Sequence, residues 1–129
     1  EAVPELMKAL SHSDPTVRES VACTLASIGK EAKEAVPELM KALYDSEAFV
    51  RAAAAGALGS MGKEATEAVP KLAKSLEDSE AEVRYRAADA LGSIGKGAKE
   101  AVPKLMEALG DSEFEVRRAA AKALGDIGK

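Results

Sequence analysis

Apolar residues recur along this chain three and four apart, in stripes that break off and restart. Val36, Leu39, Met40 and Leu43 form one such stripe, on a helix read over about Ala35 to Leu43. Pro37 falls in its first turn, where a missing N–H costs little. Val50, Ala54, Leu58 and Met61 form the next stripe, on a helix that starts after Ser46. Ser79 and Ser112 begin equivalent helices and are followed three residues later by Glu82 and Glu115, the pattern of a capping box. Ser13-Asp14-Pro15 gives the first copy a different start signal. Gly62, like Gly29, Gly95 and Gly128, reads as the stop, a glycine free to take positive φ. Lys30–Lys33, Lys63–Thr66 and Lys96–Lys99 read as short charged linkers.

The stripes repeat in register. Aligning Glu1, Glu34, Glu67 and Glu100 gives four copies of E-A-V-P, each 33 residues long without insertion, the last stopping three short at Lys129. A fixed period of this size marks a solenoid, in which each hairpin buries its apolar faces only against its neighbours. The expectation is one all-α domain over residues 1–129, with repeats 1–33, 34–66, 67–99 and 100–129 and eight helices. Repeated positions build the stack, so an individual function must lie where the copies differ.

Composition narrows the core and the partners. Apolar residues make up 47% of the chain but aromatics only 3%, with no Trp, so Ala, Leu, Val, Ile and Met must fill the interior. Charged residues are 31%, finely mixed, with a net charge of -4, which disfavours nucleic acid and anionic membranes. No apolar run approaches the roughly 20 residues that span a bilayer. Cys23 stands alone, which fits a reducing, cytoplasmic setting. The absence of a starting Met and of a leader pattern fits an excised or processed piece.

Pro37, Asp45, Val50 and Arg51 recur as Pro70, Asp78, Val83 and Arg84, and again as Pro103, Asp111, Val116 and Arg117. In this pattern the chain resembles the HEAT repeat family, especially the HEAT-like subgroup of phycobilisome lyase subunits. The period is also similar to that of artificial consensus HEAT-type scaffolds. The resemblance implies a right-handed α-solenoid of four helical hairpins, with the second helices lining the concave surface. It also implies a ladder in which Asp45, Asp78 and Asp111 pair with Arg18, Arg51, Arg84 and Arg117 between turns. As near-surface pairs, each rung is expected to contribute about 0–1 kcal/mol. The first copy departs from the pattern, with His12 in place of the aspartate.

Catalytic readings find little support. One His and one Cys cannot make a Cys/His metal cluster, and no cofactor is expected. The HEAT-like deoxyhypusine hydroxylases carry His-Glu pairs for iron, whereas His12 is followed by Ser13. Ser11-His12-Ser13-Asp14 places triad residue types together, but in one turn, where Ser13 or Asp14 more simply caps a helix. The recurring Gly-Lys lacks the strand and glycine-rich loop of a phosphate site. Cys23 has no activating cation beside it in sequence.

The variable ridge remains. On the second helices, opposite Val17, Val21, Leu25 and Ile28 in the first copy, lie Thr16, Glu19 and Cys23. The equivalent triplets are Phe49, Ala52 and Gly56, then Glu82, Tyr85 and Asp89, then Glu115, Arg118 and Lys122. Phe49 and Tyr85 are the expected anchors for a protein or peptide partner, Ala52, Ala53 and Gly56 a flat floor, and Glu82, Asp89, Arg118 and Lys122 a charged rim. Tyr44 and Phe114 also vary between copies. The leading reading is a protein-binding scaffold, not an enzyme. A phycobilin-lyase-like accessory subunit, or an engineered or excised module without a native partner, are the alternatives. Neither end carries a recognisable polar cap, which predicts end-to-end contacts between copies or membership of a longer solenoid.

Overall fold

A computed structural model describes residues 2–128, so Glu1 and Lys129, at the ends of the first and last repeats, lie outside the described residues. Among these, eight α-helices and no strand occur. They are α1 (Val3–Ala9), α2 (Pro15–Ile28), α3 (Val36–Ala42), α4 (Ala48–Ser60), α5 (Val69–Ser75), α6 (Ala81–Ile94), α7 (Val102–Ala108) and α8 (Phe114–Gly128). The chain is an α-solenoid of helical hairpins, α1 with α2 through α7 with α8. The even-numbered helices pack side by side in one layer, and each odd-numbered helix lies against the even one of its own hairpin.

The links between hairpins differ from the loops read in the sequence. Gly29–Ala35, Gly62–Ala68 and Gly95–Ala101 are 3₁₀ turns that run directly into the next helix, each broken at an alanine with φ near -100°. Ala32, Ala65 and Ala98 are fully buried, as are Ala35, Ala68 and Ala101 at the ends of the links, so the lysines and glutamates between them face solvent while every link is pinned to the core by two methyls. The stops at Gly29, Gly62 and Gly95 have φ of 72°, 56° and 76°. Gly128 instead remains within α8.

The helix starts also need correction. Ser46 and Ser79 do not cap α4 and α6; Glu47 and Glu80 occupy the cap positions, and their side chains make no capping bond. The aspartate two residues earlier accepts the orphan N–H instead: Glu47 N–H reaches Asp45 Oδ1 at 2.9 Å, Glu80 reaches Asp78 at 3.0 Å and Glu113 reaches Asp111 at 2.9 Å. In the first copy Asp14 does cap α2, accepting from Thr16 N–H at 2.9 Å.

Leu25, Leu39, Leu58, Leu72, Leu91 and Leu105 are fully buried along the central seam. Within the even-helix layer the packing is closer still. A Cβ built on Gly59 would stand 3.0 Å from Ala90 Cα, and one on Gly92 would stand 3.0 Å from Ala123 Cα. Backbone meets backbone there, so these glycines, in the last turns of α4 and α6, set the spacing of α4, α6 and α8. The intrinsic helix penalty of glycine, about 0.5–1 kcal/mol, is the cost of that approach.

Candidate partner-binding face

Each turn between paired helices is tied to the turn before it. Arg18 donates from Nε to Asp45 Oδ2 at 2.7 Å and from Nη2 to Oδ1 at 3.1 Å. Arg51 meets Asp78 at 2.8 and 3.1 Å, and Arg84 meets Asp111 at 2.8 and 3.1 Å. The remaining Nη1 of each arginine returns to its own turn, at 2.7 Å to His12 O, 2.8 Å to Asp45 O and 2.9 Å to Asp78 O. These pairs are forked and mostly shielded: the Arg51 and Asp78 side chains are 16% and 13% exposed. Geometry of this kind exceeds the open surface pair assumed from sequence.

Burial works against ionised Asp45 and Asp78, yet the bonds from Arg18 and Arg51, the turn N–H groups and the nearby cations hold both below the usual carboxylate range. For Asp111 the Arg84 bond is the largest influence, in the same direction. Two positions stand outside the three rungs. Arg117 holds Asp111 O at 2.8 Å and Ser112 O at 3.2 Å, with no carboxylate opposite it among the described residues. His12 Nδ1 accepts from Asp14 N–H at 3.0 Å, closing its turn as an aspartate would.

The exposed face of the even helices carries a groove. Tyr85, Asp89, Glu115, Arg118, Ala119 and Lys122 line a depression of about 310 Å³ between α6 and α8. A second, of about 270 Å³, is lined by Asp89, Gly92, Ser93, Lys122, Ala123 and Asp126. A third, also about 270 Å³, lies between α4 and α6 against Gly56, Gly59, Ser60, Arg86, Asp89, Ala90 and Ser93. Asp89 lines all three and joins them. Burial in the groove pushes its carboxyl pKa up, with Lys122, Arg86 and Arg118 opposing the rise.

The residues singled out from sequence are placed unevenly by the structure. Tyr85, Asp89, Arg118 and Lys122 share one depression, and Glu82 sits beside it, 3.2 Å from Arg86 Nη2. The Arg86 guanidinium lies 6.0 Å from the Tyr85 ring centre, and Tyr85 itself is half-buried against the core. Phe49 is 39% exposed but does not line these depressions. Ala52 and Ala53, read as an open floor, are buried at 2% and 6% exposure, because such small side chains let the neighbouring helices close over them. Gly56 is half-buried and does line the third depression, with Arg86 Nη1 3.0 Å from where its Cβ would be. Tyr44 stands outside this groove, with Lys71 Nζ 5.5 Å from its ring centre. Gly59, Gly92, Ser93 and Asp126 were missed; the signal was the Leu-Gly-Ser at Leu58–Ser60 and Leu91–Ser93, read only as part of a helix end. Among the described residues no group of three or more His, Cys, Asp or Glu could hold a metal ion.

The family model for HEAT repeats matches residues 3–91 and 69–129. The chain belongs to the HEAT repeat family. Among curated proteins none matches it. The HEAT solenoid is similar to the crystal structure of an engineered protein, with 28% identity and a TM-score of 0.86 over 98% of this chain and 62% of that one. It is similar to a designed armadillo repeat protein in complex with the peptide (KR)4, at 23% identity and a TM-score of 0.83, covering 98% of this chain and 64% of that one. The complex of CpcE and CpcF of phycocyanin lyase from Nostoc sp. aligns at 24% identity and a TM-score of 0.74, over 98% of this chain and 78% of that one. The chain thus spans less than two thirds of the engineered and designed structures it matches. No helix among the described residues is long and apolar enough to cross a membrane.

Proposed function

We propose that this HEAT repeat chain is a non-enzymatic scaffold that takes a peptide or protein segment along the groove of α4, α6 and α8. The observation that carries the reading is the coincidence of that groove with positions where the repeats differ. Asp89 answers to Cys23, Gly56 and Lys122 in the other copies, and Tyr85 to Glu19, Ala52 and Arg118. Residues needed only for stacking would repeat.

Curvature supports the same face. The even helices touch backbone to backbone at Gly59 and Gly92, whereas the odd helices are linked to the next hairpin largely through the 3₁₀ turns. The more tightly spaced layer is the inner side of a curved stack, so the groove is read as concave. Its lining offers one aromatic ring and both signs of charge, from Arg86, Arg118 and Lys122 to Asp89 and Glu115. That pattern suits a mixed-charge segment with an apolar or aromatic residue for Tyr85, and it does not suit the uniform anion of a nucleic acid. The designed armadillo repeat protein bound to a peptide shows a related fold used this way and lends support by analogy of fold alone.

Selection from a displayed peptide library tests the proposal. Peptides taken by the wild-type chain are expected to lose at least about tenfold in affinity with Tyr85→Ser/Arg118→Glu and to keep it with Tyr44→Ser, outside the groove. Selected peptides indifferent to the groove pair, or sensitive to Tyr44→Ser alone, would contradict it.

A further inference from the structure

The charges of the groove fall into two classes. Arg86 is held by Glu82 at 3.2 Å, four residues back on α6, and Lys122 by Asp126 at 3.1 Å, four residues on along α8. Asp89 and Arg118 make no hydrogen bond or ion pair among the described residues, although both line the depression beside Tyr85. Asp89 and Lys122 occupy equivalent positions of successive repeats, so they are neighbours on α6 and α8, yet Lys122 turns to Asp126.

The difference bears on recognition. A side chain already in an ion pair gives up one partner to take another, so its net attraction for a ligand is small, whereas an unpaired group has only water to lose. For Asp89 part of that water is already gone. Burial raises its pKa, and Lys122, Arg86 and Arg118 act on it across space without donating a bond. A donor on the ligand would offset that cost. Arg118 has the opposite need: its guanidinium carries five N–H donors, and none is engaged among the described residues. Glu115 lines the same depression, also unpaired, and adds a second carboxylate for a ligand cation.

Taking the groove as the seat of a partner segment, on which this inference rests, we propose that Asp89 and Arg118 select that segment by charge. They fit an extended segment with a basic and an acidic residue two positions apart, the basic one on Asp89 and the acidic one on Arg118. Side chains two apart share a face of an extended strand at about 7 Å. One depression of about 310 Å³ can therefore take both.

Peptides selected from a displayed library, on the wild-type chain and on three variants, test this. The wild type is expected to enrich basic and acidic residues two apart. Asp89→Asn is expected to lose the basic preference alone and Arg118→Gln the acidic preference alone, with Lys122→Gln moving the acidic preference less than Arg118→Gln does. In titrations, replacing the basic residue of a selected peptide by Gln should weaken binding at least about tenfold on the wild type and less than about twofold on Asp89→Asn. Melting curves check that each variant is folded. Selected peptides without the spaced pair, preferences that survive Asp89→Asn and Arg118→Gln, or a larger effect from Lys122→Gln would overturn the inference. If such peptides still lose affinity with Tyr85→Ser, the groove reading stands without it. Peptides indifferent to Tyr85→Ser, or a library that yields no binder, would overturn both.

Discussion

Removing the middle rung isolates the energy that the ladder contributes. Asp78→Ala deletes both bonds from Arg51, at 2.8 and 3.1 Å, and the acceptor for Glu80 N–H at 3.0 Å. Breaking a fully buried pair costs about 3–5 kcal/mol, whereas an open surface pair is worth about 0–1 kcal/mol. With side chains 16% and 13% exposed, and with Arg51 keeping Asp45 O at 2.8 Å, the loss falls between these at about 2 kcal/mol. For a chain of this length that is a fall in Tm of about 6 °C. The effect also has a pH signature. Because the folded pKa of Asp78 is lowered, its contribution is fully present above the unfolded value of about 4 and is lost as pH falls through the folded value. Urea unfolding followed by circular dichroism, repeated from pH 7 down to the acid limit, measures the gap. A gap under about 0.3 kcal/mol at pH 7, or one unchanged at low pH, would refute the reasoning.

Gly92→Ala is expected to destabilise by about 1–2 kcal/mol, because Ala123 Cα at 3.0 Å cannot step aside, while Gly125→Ala, with nothing within 4 Å, should gain about 0.5 kcal/mol. Denaturant midpoints separate the two, and equal signs would contradict the spacing argument. Asp89→Asn should stabilise at neutral pH and make no difference in acid: a raised folded pKa means that stability is lost as pH rises through it, and Asn removes that loss. Thermal melts at several pH values check the direction. Phe49→Ser should leave groove binding within about twofold, since Phe49 lies outside the depressions, whereas Tyr85→Ser should weaken it at least about tenfold in the same titration.

The repeat made the fold legible. The helix stripes, the prolines in the first turns and the glycine stops at Gly29, Gly62 and Gly95 are local signals, and each recurs in phase. Which atom satisfied a helix end was less legible. Ser79 and Glu82 match a capping box, but the helix starts one residue later, with Glu80 at the cap position and its N–H on the Asp78 carboxylate that Arg51 holds. The groove was half legible. Tyr85, Asp89, Arg118 and Lys122 follow from helical spacing, since charged side chains on the variable stripe stay out of the core. Gly56 lines the groove as well, but Ala52 and Ala53 do not, because burial of a small residue depends on how near the next helix comes. That distance is set by Gly59 and Gly92, whose role appears only when α4, α6 and α8 are placed together.

The central claim is that a partner segment lies along the even-helix groove. Amide shift mapping of the isotope-labelled chain, titrated with a peptide selected against it, tests this most directly. The account predicts shifts concentrated at Tyr85, Asp89, Ser93, Arg118 and Lys122, with the odd helices unmoved. Shifts centred on α3, α5 and α7, with the Asp89 region silent, would contradict it.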